Sequence, residues 1–144
     1  IGDSVFFQTG KNSFIRVGGG SSINTGCHLV ASESISIGCN VAIAEYVSIR
    51  DQEHRFDMEN GVAGTGYNVA PIVIESNTWI GRGAYIGPGS VIRSGSIVGA
   101  NSVVKGQFPP NTLIAGAPAK IKKYLGGVEC GQHVSEISLP PDSM

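Results

Sequence analysis

An aliphatic residue recurs every six positions along Ile74, Ile80, Ile86, Ile92, Val98 and Val104, and no other feature of this 144-residue chain restricts its fold as tightly. Six consecutive hits fit neither the 3.6-residue period of a helix nor the two-residue alternation of an isolated strand. Two places before each stand Ile72, Thr78, Ala84, Ser90, Ser96 and Ser102, most of them small, and Gly81, Gly87 and Gly99 follow the aliphatic position. A three-sided solenoid needs this arrangement: a short strand per side, one aliphatic side chain pointing inward, and a small residue or glycine at each tight corner.

The pattern continues upstream as Val17, Ile23 and Leu29, then Ile37, Ile43 and Ile49, with Ile15, Ser21, Cys27, Ile35, Val41 and Val47 two places earlier. Phase is lost between the triplets: two extra residues lie between Leu29 and Ile37, nineteen between Ile49 and Ile74, four between Val104 and Ile114, and four between Phe7 and Val17. If three hexads make one coil, every break leaves the solenoid at the same edge, and loops gathered on one edge build one wall of a site. The longest excursion covers residues 50–71 and is charged and glycine-rich. Pro109, Pro110, Gly116 and Pro118 end the regular coils, and a short helix is predicted over residues 119–125. The expected organisation is one β-helix domain over residues 1–123, with loop 50–71 inserted, and a polar tail over residues 124–144.

A hydrophobic content of 41% supports one continuous core. The net charge of -1 hides an asymmetry: between Glu75 and Glu129 there is no acid, while Arg82, Arg93, Lys105, Lys120, Lys122 and Lys123 all fall there. Such a segment suits a small polyanionic ligand, whereas the overall balance argues against nucleic acid. No stretch approaches the ~18 apolar residues of a membrane span, and the opening at Ile1 has no basic-then-apolar leader. Cys27, Cys39 and Cys130 cannot all pair within one chain and form no CxxC, so they read as reduced thiols in a cytoplasmic protein. His28, His54 and His133 have spacings that fit no zinc site, which argues against a metal-dependent hydratase on the same kind of solenoid and leaves no metal expected.

Several motifs occur together: IGCNVAIAEYVSI at residues 37–49, RDQEH ending at His54, APIVIESNTWIG ending at Gly81, GSIVGANSVV ending at Val104, and FPPNTLIAGAPAK ending at Lys120. On these, residues 15–123 closely resemble the hexapeptide-repeat acyltransferases, in the branch of galactoside, maltose and xenobiotic O-acetyltransferases and capsule-sugar acetyltransferases. The resemblance implies a left-handed parallel β-helix, a homotrimer with active sites between neighbouring subunits, acetyl-CoA as acyl donor, and His54 as the catalytic base.

The chemistry agrees with that assignment. Moving an acetyl group from a thioester to a hydroxyl needs a base to take the proton as the oxygen attacks, and an imidazole with its ordinary pKa near ~6.5 offers a neutral acceptor at pH 7. Asp51 and Glu53 stand close to His54 in sequence, where either could orient the ring or bind acceptor hydroxyls. Asn24 matches a family asparagine of the acceptor pocket. Trp79 precedes inward Ile80, so alternation turns its ring outward, and the resemblance places it near the histidine and the thioester. The pantetheine arm is expected along backbone groups near Gly81, Gly99 and Ala100. Lys105, Lys120 and Lys123 are expected on a common surface facing the cofactor phosphates. Here the chain departs from the family pattern, with Gly106 in place of the lysine usual one position after Lys105, and with Lys120 and Lys123 where arginines are common. A polar loop with Asp51, Glu53, Asn60 and Tyr67 suits a sugar or saccharide acceptor. The alternatives are a xenobiotic or amino-sugar N-acetyltransferase, and a non-catalytic β-helix binding protein.

Overall fold

The computed structural model describes residues 1–126, and every described regular element is a β-strand. All but three of the strands fall, in parallel, into three sheets that form the sides of a left-handed triangular solenoid of about five turns. The first side holds β1 (Phe6–Thr9), β4 (His28–Ala31), β7 (Ser48–Arg50), β12 (Tyr85–Ile86) and β15 (Val103–Val104). The second holds β2 (Phe14–Val17), β5 (Ser34–Ile37), β10 (Ile72–Ile74), β13 (Val91–Ile92) and β16 (Gln107–Phe108). The third holds β3 (Ser22–Ile23), β6 (Ala42–Ile43), β11 (Trp79–Ile80), β14 (Ile97–Val98), β17 (Thr112–Gly116) and β18 (Ala119–Tyr124). A separate antiparallel hairpin, β8 (Gln52–His54) with β9 (Tyr67–Val69), lies outside the three sides.

Register follows the six-residue period. Ile74 is paired with Ile92, Ile80 with Val98, and Ile86 with Val104. All six are buried, so each side contributes an aliphatic ladder to one core. The residues two places earlier are buried too: β5 and β10 carry Ile35 and Ile72 there, and the later hexads a serine, threonine or alanine. Their hydroxyls bond the corner carbonyls: Ser90 donates to Gly87 at 2.6 Å, Ser102 to Gly99 at 2.7 Å, and Thr78 to Glu75 at 2.7 Å. A polar atom in the core is thereby satisfied within its own turn. Three residues before the inward position the chain turns through positive φ, at Gly83 (70°) and Asn101 (57°) for example. These two stack in successive coils, and a Cβ on Gly83 would overlap the Asn101 side chain. Glycine in one coil therefore makes room for asparagine in the next.

All the phase breaks do fall on one edge, between the first and second sides. One differs from the sequence reading. Phe108 is the inward residue of β16, paired with Ile92, so the step from Val104 to Phe108 is two residues shorter than a hexad rather than four longer. The helix expected over residues 119–125 is corrected as well. The chain reverses after Gly116, and Ala119–Tyr124 runs as a strand antiparallel to β17, with Ala119 and Ile121 packed on the core. A segment this short gains little as a helix, while as a strand it covers the open edge of the third sheet. The tail beyond residue 126, with Cys130 and His133, lies outside the described residues.

Candidate active site

The nineteen-residue excursion leaves β7 through a bolted joint. Asp51 is fully buried, and its carboxylate accepts three backbone N–H groups from the turn of the coil beneath: Ser32 at 2.7 Å, Glu33 at 2.7 Å and Ser34 at 2.9 Å. Its carbonyl also accepts the Ala70 N–H at 3.0 Å, where the chain returns. Asp51 is thus an anchor, and this corrects the expectation that it meets the acceptor or the histidine ring. Both of its oxygens are spent on the main chain.

Three residues on, His54 stands exposed on the hairpin opposite Tyr67, with ring centroids 4.6 Å apart and planes inclined by 36°. Glu53, on the other face of β8, accepts from Lys105 Nζ at 2.6 Å. That hydrogen bond pushes the Lys105 ammonium above its ordinary pKa. Tyr85 stands outward on β12 beside this pair, its hydroxyl raised first by burial and then by the Glu53 charge. Beyond the hairpin the loop makes its own turns, with Thr65 Oγ1 donating to the Arg55 carbonyl at 2.6 Å and Asp57 accepting from the Glu59 and Asn60 N–H groups. Those N–H groups, Asn60 first, hold the Asp57 carboxyl below its usual range. Phe56, Met58 and Val62 lie exposed at the tip.

The other candidates collect on the third side. Trp79 is half-buried on its outer face between Ala42 and Ile97 in the neighbouring coils. Small Ala42 leaves space for the indole. Gly81 and Gly99 continue the same face, but their N–H groups bond Val98 and Ile114 at 2.8 Å within the solenoid ladder. Backbone donation to a pantetheine arm from these two is therefore excluded. Gly81 is itself buried, and the space a side chain would take is filled by the backbone of residues 98–100 at Gly81 and by the Ala115 methyl at Gly99, so both glycines serve the stacking of coils; exposed Ala100 follows them. Asn24 is exposed at the corner between the third and first sides. Lys120 and Lys123 are exposed on β18, paired with Ala115 and Leu113. Lys105 does not share their surface: it follows β15 on the first side and is turned toward the hairpin.

In a triangular prism the edge between two sides is opposite the third side. His54 and Lys105 therefore stand on one flank of the chain, and Trp79, Gly81, Gly99, Lys120 and Lys123 on the opposite one.

Two residues escaped sequence reading. Tyr85 occupies the outward place before Ile86 as Trp79 does before Ile80, and the same alternation could have singled it out. Tyr46 takes the positive-φ corner place, φ 58°, that serine, glycine or asparagine fills in other coils; its ring lies over Gly26, with the Arg82 guanidinium 5.5 Å from its centroid. A bulky side chain in that conformation stores strain. It sits one corner turn from Asn24, donating its N–H to the Thr25 carbonyl at 3.0 Å.

Comparison with known proteins assigns this architecture. A hexapeptide-repeat-containing acetyltransferase from Vibrio cholerae superposes with a TM-score of 0.74 at 32% identity, over 88% of this chain and 73% of its own. The chain belongs to the hexapeptide-repeat acetyltransferases. The family model for the bacterial transferase hexapeptide (six repeats) matches residues 71–106 of this acetyltransferase. The Vibrio cholerae protein complexed with acetyl coenzyme A gives a TM-score of 0.75 at 32% identity, over 88% of this chain and 70% of the other. A maltose O-acetyltransferase from Clostridium difficile 630 gives 0.72 at 30% identity, over 88% and 69%. A galactoside acetyltransferase in complex with coenzyme A gives 0.73 at 31%, over 83% and 60%. No curated protein sequence matches the chain significantly. Among the described residues no helix is long and apolar enough to cross a membrane, no cluster of potential metal ligands occurs, and Cys27 and Cys39 are unpaired.

Proposed function

We propose that this acetyltransferase moves the acetyl group of acetyl-CoA directly to a hydroxyl of a sugar or saccharide-like acceptor, with His54 as general base. The observation that carries this is the placement of an exposed histidine on a hairpin whose base is held by the buried Asp51 carboxylate. Such a mount gives a solvent-facing imidazole the defined position that a general base needs. His54 takes the acceptor proton as the oxygen attacks the thioester carbonyl; the tetrahedral adduct then collapses, expelling the coenzyme A thiolate, which takes up the proton.

The donor assignment is supported by the acetyl-CoA and coenzyme A complexes of the similar proteins. The pantetheine arm runs along the third side from Trp79 toward exposed Ala100, and the exposed Lys120 and Lys123 suit the phosphates. Because one chain holds the histidine and Trp79 on opposite flanks, a complete site takes the hairpin of one subunit and the third side of another. A homotrimer closes three such pairs with one repeated contact. Asn24 and strained Tyr46, at the rim of the third side, are assigned to the acceptor. The unpaired Cys27 and Cys39 favour a cytoplasmic location.

Replacing His54 by Ala should lower kcat by roughly 100- to 10,000-fold while leaving acetyl-CoA affinity unchanged. The assay is thiol release from acetyl-CoA against a panel of sugars, nucleotide sugars and hydroxylated antibiotics, beside cofactor titration by calorimetry. Wild-type turnover in the variant would make His54 a surface histidine. Turnover on amino sugars alone would move the chain to N-acetylation.

A further inference from the structure

We propose that Lys105 is a positioning residue which, through Glu53, locks the hairpin carrying His54 against the first side of the solenoid, and is not a contact for the cofactor phosphates. The inference rests on the reading of His54 as the base, but its physical part concerns the hairpin alone.

Lys105 and Glu53 are 52 positions apart in sequence, two coils and an excursion from each other, yet their charged atoms meet at 2.6 Å. The approach of the lysine is built into the solenoid. A Cβ on Gly87 would lie 3.1 Å from both Cγ and Cε of Lys105 and 3.0 Å from the Tyr85 ring. The lysine stem therefore lies across the bare backbone of Gly87, beside the edge of the tyrosine, and its ammonium is aimed at β8. Gly87 has no positive φ to explain its presence; the gap it leaves is used by the stem.

The hairpin needs an attachment beyond its base. Two strands of three residues are marginal by themselves. Asp51 bolts the base, and Gln52 Oε1 accepts from Ser32 Oγ at 2.5 Å beside it; past these two the strands belong to none of the three sheets, and Glu53 and His54 could still swing about that joint. Alternation makes the lock effective: Glu53 and His54 point to opposite faces of β8, so fixing Glu53 against the solenoid fixes the direction in which the imidazole projects. An exposed pair adds little global stability. A hinge held near its base by Asp51 and Gln52 responds to the same modest energy farther out as a change in orientation.

The test uses the full chain as its native assembly, with Lys105→Met, Glu53→Gln, the double variant, Lys105→Arg and Gly87→Ala. In Gly87→Ala both charges remain, and the added methyl meets only side-chain atoms, so the fold survives while the stem is displaced. Hydrogen exchange of the 52–54 and 67–69 amides should accelerate by roughly two- to tenfold in Lys105→Met, Glu53→Gln and Gly87→Ala, without further gain in the double variant. Lys105→Arg should restore wild-type exchange. With the acceptor found in the panel above, kcat should fall by the same factor while KM for acetyl-CoA stays put. Unchanged hairpin exchange, or a raised KM for acetyl-CoA in Lys105→Met that Glu53→Gln does not share, would overturn the proposal and return Lys105 to the cofactor. Failure of His54 as the base leaves the exchange result standing, so the two readings fail separately.

Discussion

Asp51 and His54 are three residues apart and have opposite environments. The aspartate is buried with three N–H donors on its carboxylate, whereas the histidine is exposed and touches mainly Tyr67. Their substitutions should separate stability from chemistry. Asp51→Ala strands three donors in a turn beneath the surface, and should cost about 3 kcal/mol in urea denaturation at fixed protein concentration. His54→Ala removes no buried contact and should stay within about 0.5 kcal/mol of the wild type in the same measurement. Equal stability of the two variants would show that the carboxylate does not bolt the hairpin. Buried Cys27 belongs to the first class: burial pushes its thiol above the ordinary value, and its Sγ donates to the Ala44 carbonyl at 3.0 Å.

At the scale of an element, the unit is a coil resting on the next, and glycines there answer to two separate constraints. Gly81 has no positive φ, but a Cβ would lie 2.6 Å from the Val98 carbonyl oxygen and 2.7 Å from the Ala100 nitrogen, both backbone atoms that cannot move without parting two coils. Gly106 has open space around it and a φ of 100°. Gly81→Ala should therefore destabilise by well over about 1 kcal/mol, and Gly106→Ala by about 1 kcal/mol from strain alone. Thermal unfolding of the two variants checks the order, and a reversed order would mean that coil spacing adjusts more easily than backbone torsion. The same close stacking explains why β18 is a strand: the last coil presents an unpaired sheet edge, and antiparallel pairing with β17 covers it.

For the whole molecule, the separation of His54 from Trp79 on opposite flanks leads to a complementation experiment. A His54→Ala chain and a Trp79→Ala chain, each impaired in its own assembly, should regain activity when unfolded together and reassembled at equal amounts. In a cyclic trimer whose sites pair the hairpin of one subunit with the third side of the next, random mixing leaves ~25% of sites with both native residues. Recovery of about a quarter of wild-type turnover is the expected result. No recovery from a mixture shown by mass spectrometry to contain mixed trimers would place both residues in one subunit's site and refute the intersubunit arrangement.

The hexad period determined the solenoid, its register and the side of each strand that faces inward, because a repeat of six leaves each aliphatic residue directly above the one eighteen positions earlier wherever no loop intervenes. It also located the edge from which the loops depart. The family motifs singled out His54 and Trp79. Distance in sequence hid the rest. That Asp51 turns inward to a turn seventeen to nineteen residues away, that Lys105 crosses Gly87 to reach Glu53, and that Lys105 and Lys120 face different flanks are consequences of where coils lie once stacked. A hexad repeat specifies which residues point in, since burial of apolar side chains is read locally along a strand. It says nothing of which outward polar groups meet, because those meetings depend on loop lengths and on the turn of the chain from one coil to another.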